Sequence, residues 1–97
     1  MATDAALTKA QAKRLAVAAH DGLARSLRPA HAPLDGDIVF TAATGAVTLI
    51  DGLESLTELC ALAADTLARA VARGVFEATA LPFPNALPAW RDRHGRG

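Results

Sequence analysis

The chain has 97 residues, of which 52% are hydrophobic; ten basic and ten acidic residues give a formal net charge of zero. This is one small domain with enough apolar content to bury a core, which excludes an intrinsically disordered chain. The charge balance argues against a nucleic-acid binder, which needs a basic face, and a lone cysteine, Cys60, excludes an internal disulfide or a cysteine-built zinc site.

In chain order, Met1-Ala2-Thr3-Asp4 reads as the tail of a strand. Thr8-Lys9-Ala10-Gln11 matches a capping box, in which a hydroxyl and a Gln three residues later satisfy two orphan amides. The spacing predicts a helix from there to about Ser26. Leu15, Ala19, Gly22, Leu23 and Leu27 recur at three- and four-residue steps and form its apolar stripe. Gly22 costs a helix interior roughly 1 kcal/mol against alanine, so its presence implies close approach of a neighbouring element. Pro29 ends the helix, and a connector with Pro29 and Pro33 leads to Asp35-Gly36-Asp37.

Asp37 to Thr44 is predicted as a strand, closed by Gly45. Ile38, Phe40 and Ala42 face one way, and Val39, Thr41 and Ala43 the other. Both faces are apolar or small, which predicts burial on both sides. Val47 to Ile50 is a further short-strand candidate. Asp51-Gly52 signals a turn, and Ser55-Leu56-Thr57-Glu58 reads as a second capping box opening a helix from Leu56 to about Thr79. A helix of that length, roughly 36 Å, needs more covering surface than the preceding elements provide. Leu81 to Trp90 holds three prolines and is predicted to run extended, with Trp90 as an anchor. Residues 1–90 are thus expected to form a single incomplete α/β domain, and 91–97 a disordered tail.

Asp35-Gly36-Asp37 is the best candidate for chemistry. Two carboxylates one residue apart can orient and polarise a nucleophile or its base. Asp and Gly are also ordinary turn residues, and a carboxylate metal site is a further reading, although the oxygen ligands of a calcium loop are missing after Asp37. His31, four positions before Asp35, could line the same site. His20 is read as packing at the edge of the first helix, His94 as silent, and Cys60 as a structural thiol. There is no glycine-rich phosphate loop, nucleophile elbow or Cys/His cluster. No apolar run reaches the roughly 18 residues needed to cross a bilayer, and the N-terminus lacks the pattern of a secretory signal. The expected location is cytoplasmic, without membrane or nucleic-acid partners.

Several segments together resemble the C-terminal part of the L-aminopeptidase/D-esterase family, which includes β-aminopeptidases and nylon-oligomer endo-hydrolases. They are residues 2–11, Lys13-Arg14-Leu15-Ala16, Ala19-His20-Asp21-Gly22-Leu23-Ala24-Arg25, Asp35-Gly36-Asp37 with Val39-Phe40, Ala68-Arg69-Ala70-Val71, and Leu87-Pro88-Ala89-Trp90-Arg91-Asp92. The resemblance implies a precursor that cuts itself into a large and a small subunit, exposing a Ser or Thr nucleophile whose free α-amine can serve as base. It implies a four-layer α/β/β/α sandwich, of which this chain is a small-subunit-like fragment; no cofactor or metal is expected from the residues. Asp35 and Asp37 fall on acidic positions that assist the nucleophile in the nylon-hydrolase-like branch. The implied partners are the large subunit of the same precursor, further copies in an oligomer, and a small peptide, amide or oligoamide substrate.

The chain departs from that pattern at one point. The nucleophile belongs a handful of residues before Ala2, and neither Met1 nor Ala2 carries a hydroxyl. The 97 residues are therefore expected to be a truncated product, a mis-started reading frame or one piece of an assembly. Alone they are expected to be inactive, and to be poorly soluble, self-associating or only partly folded. The alternative is a non-enzymatic helix–strand interaction module that pairs through an exposed strand edge.

Overall fold

The structure is a computed structural model that describes residues 1–34 and 36–95. Its elements are β1 (Ala2–Ala5), α1 (Lys9–Ser26), β2 (Ala42–Val47), α2 (Gly52–Glu77) and α3 (Trp90–His94). The architecture is mixed α/β. β1 and β2 pair in parallel, with α1 as the crossover that parallel strands require.

α1 forms as its local signals dictate. The Gln11 amide donates to Thr8 Oγ1 at 3.1 Å, and Gln11 Oε1 accepts from the Thr8 amide at 2.9 Å, completing the capping box. Leu15, Ala19, Gly22 and Leu23 are its buried residues, four of the five in the predicted stripe. The helix ends at Ser26, three residues before Pro29.

α1 packs along α2, and the contact is close because both faces are small. α2 buries Ala63 and Ala64. A Cβ added to Gly22 would lie 2.5 Å from the Ala64 carbonyl oxygen, 2.8 Å from Leu67 Cβ and 2.9 Å from the Ala68 nitrogen. The central cluster is Leu15, Ala19 and Ala63, with Met1, Leu7, Val39, Leu59, Cys60 and Leu67 packed against it. Arg25 and Asp65 form an ion pair across the two helices at the surface, a position where such pairs contribute about 0–1 kcal/mol.

α2 starts earlier than predicted. The capping box at Ser55 does not form: Ser55 Oγ donates instead to the Ile50 carbonyl. The helix therefore extends back through the Asp51-Gly52 turn, with Asp51 at its cap in the left-handed region (φ 49°). Its 26 residues span about 39 Å against about 27 Å for the 18 of α1. The overhang leaves Leu53, Val75 and Phe76 exposed.

The strand prediction is corrected in position and in burial. Pairing begins at Ala42 rather than Asp37, because β1 offers partners only at that level: Ala2 lies opposite Ala42 and Thr3 opposite Ala43. Gly45 does not close the strand but sits inside β2 with φ 80°, where the register shifts so that Ala5 faces Val47. This is a bulge, and a glycine takes its left-handed turn without strain. No separate strand follows at 47–50. The predicted alternation of faces does hold before β2. Val39 and Thr41 are half-buried, while Ile38 and Phe40 are 67% and 74% exposed. Burial on both sides is not observed: every residue of β2 itself is exposed.

Beyond α2 the chain folds back. Residues 91–94, placed in the tail by sequence, belong to the short helix α3. Trp90 rests on Phe76 (ring centroids 6.1 Å apart), and the Arg91 guanidinium lies 5.1 Å from the Phe76 ring centroid.

Two stability predictions follow from this packing. Gly22→Ala should lower the unfolding free energy by about 1–3 kcal/mol, despite alanine's roughly 1 kcal/mol helix advantage, as read from the urea midpoint. Thr41 Oγ1 is buried without a hydrogen-bond partner among the described residues, an arrangement that costs about 1–3 kcal/mol. The near-isosteric Thr41→Val should therefore raise the same midpoint.

Candidate functional site

The connector between α1 and β2 carries the predicted acids. Asp35 lies outside the described residues. Asp37 is exposed, in a stretch without helix or strand, two residues before Val39. Val39 reaches the Leu15–Ala19–Ala63 cluster, so the chain leaving Asp37 is fixed to the core within two residues. Among the described residues no three His, Cys, Asp or Glu side chains converge as a metal site.

The N-terminal end of the sheet lies beside this stretch. The Met1 ammonium donates to the Phe40 carbonyl at 2.7 Å, and the Ala42 amide donates to the Met1 carbonyl at 2.9 Å. The ladder thus runs through Met1 at an offset of 40 residues, the same offset as Ala2 with Ala42 and Thr3 with Ala43. Residues opposite one another in a parallel ladder point to the same face, and a one-residue slip reverses the face.

His31 is exposed and adopts φ 59°, a left-handed conformation in which His is enriched among non-glycine residues. Its ring stands 5.4 Å from that of His20, tilted by 39°. His20 Nδ1 is within hydrogen-bond distance of the Ala16 carbonyl, at 2.8 Å, which fixes the ring against its own helix. The structure thus joins His31 to a residue that sequence reasoning had set aside as edge packing. Nothing in the helical periodicity signals this contact, because the partner lies eleven positions away across a turn. Cys60 is half-buried against the core cluster, in line with a structural thiol. No helix among the described residues is long and apolar enough to cross a membrane.

Comparison with known proteins agrees with this arrangement of segments. The model of a family described as peptidase family S58 matches residues 1–87. Proteins described as uncharacterized aminopeptidases from Mycobacterium tuberculosis and Mycobacterium bovis are each 48% identical over 102 aligned positions, covering 95% of this chain and 29% of theirs. A third, from Mycobacterium leprae, is 48% identical over 88 positions, covering 80% of this chain and 24% of its own length. The chain therefore spans less than a third of the curated relatives it matches.

Proposed function

The chain belongs to peptidase family S58, the L-aminopeptidase/D-esterase family, and on that footing we propose that it is the acid-bearing C-terminal part of a self-processing amide hydrolase. The nucleophile in this reading is a Ser or Thr on a strand that runs into Met1. The observation that carries the reading is the ladder register, with its offset of 40 residues. A strand continued at that offset would bring its fourth and fifth residues before Met1 alongside Asp37 and Gly36. The family resemblance asks for the nucleophile a handful of residues before Ala2, a spacing compatible with that offset.

The chemistry follows from that placement. The hydroxyl attacks the amide carbonyl while its proton passes to the free α-amine, the leaving amine departs, and water hydrolyses the ester. Asp35 and Asp37 hold the ammonium and the hydroxyl in line and stabilise the positive charge that develops on the amine. Asp37 is exposed in this chain, whereas such charge–charge work is strongest where water is excluded. The large subunit supplies that cover in our reading, and the substrate is a small peptide, amide or oligoamide.

The test joins these residues to the upstream part of a mycobacterial relative and follows turnover of an amino-acid p-nitroanilide, with mass spectrometry of the small subunit. We expect a new terminus at a Ser or Thr four to six residues before Met1, and no turnover by the 97 residues alone. Asp35→Asn and Asp37→Asn should each lower kcat by about 10²–10⁴-fold, the range for lost acid–base assistance. Full activity in both variants removes the acids from the mechanism. An uncut, inactive but folded protein would favour the interaction-module reading, in which the exposed Ile38–Phe40 stretch pairs with a partner strand.

A further inference from the structure

The acids sit on a connector that has no helix or strand from Leu27 to Thr41 among the described residues. A catalytic carboxylate must be held to a fraction of an ångström, so the connector needs fixed points on both sides of Asp35-Gly36-Asp37. Downstream, Val39 is held in the α1–α2 core. Upstream, the ring contact between His31 and His20 ties the connector to the same helix, α1, four residues before Asp35. His20 is suited to serve as the post of this clamp. It is half-buried, it follows the fully buried Ala19, and its Nδ1 is engaged with the Ala16 carbonyl. His31 is suited to serve as the clasp, since its positive φ turns the chain at the point of contact.

We infer that His20 and His31 are positioning residues, a ring-on-ring clamp that sets where the connector presents the acid pair. This role rests on the proposed hydrolase reading for its catalytic consequence, but not for its structural one. Neither imidazole is asked to touch substrate.

Three variants separate the clamp from general stability. His20→Ala removes the post, His31→Asn removes the clasp ring but tolerates the left-handed backbone, and His20→Phe restores a ring to the post. Hydrogen exchange of the 97-residue chain is read at residues 30–38 and, as a control, across α1 and α2. Loss of a ring pair should speed exchange at 30–38 by about three- to ten-fold in the first two variants. The helices should be unaffected, and His20→Phe should return the connector to its original rate. In the enzyme joined to its upstream part, the same two variants should lower kcat by about ten- to a hundred-fold with little change in KM, again rescued by His20→Phe. Unchanged exchange at 30–38, or equal acceleration everywhere, overturns the clamp. Faster exchange at 30–38 with kcat intact overturns its role in positioning the acids. An inactive joined enzyme with unvaried histidines overturns the hydrolase reading instead, and the exchange measurement still decides the clamp.

Discussion

The close approach of α1 to α2 at Gly22 is the constraint on which the rest of the molecule depends. The Ala64 carbonyl occupies the space a side chain would need, so the helices meet backbone to backbone. An alanine-rich face buries little area per residue, and its cohesion comes from dense short-range contact rather than from bulk. Leu15 is the one large side chain that the described residues bury almost completely. Met1, Leu7 and Val39 all lean on the cluster it belongs to. The sheet, the N-terminal segment and the chain leaving Asp37 therefore take their positions from a single helix pair.

That economy explains how a chain with a small core can still hold an irregular connector in place. The connector is long and irregular, yet it is referenced to α1 at His31 and at Val39, and the strand ladder is referenced to the same helix through Met1. The exposed Ile38 and Phe40 point away from this scaffold. Two large apolar side chains in water, next to a carboxylate and an open run of backbone, are poor design for a stand-alone surface.

The elements legible in the sequence were those whose causes are local. The Thr8–Gln11 box and the Leu15–Leu23 stripe are satisfied within one helix, and both stand where the pattern put them. Ser55 carried the same kind of signal, but its hydroxyl had a nearer acceptor in the Ile50 carbonyl, and α2 began three residues before it. β2 was misplaced by five residues at its start because a parallel strand exists only where its partner does, and that partner lies 40 positions away. Of the site, Asp35-Gly36-Asp37 stood out through its chemistry and its resemblance to a family. The part played by His20 was invisible, since a helical wheel shows which face a residue occupies and not what a later turn lays upon it.

The bulge at Gly45 has a consequence for the fidelity of the whole arrangement. A parallel ladder of small residues is easy to slide, and a slide of one position would swap the faces of every residue in the strand. Gly45 works as an indexing stop against that error. Its left-handed backbone cannot pass to Thr44, whose branched side chain resists φ above zero, and Ala46 is little better suited. The register of the strand pair is thus set by a glycine, a residue with no side chain of its own.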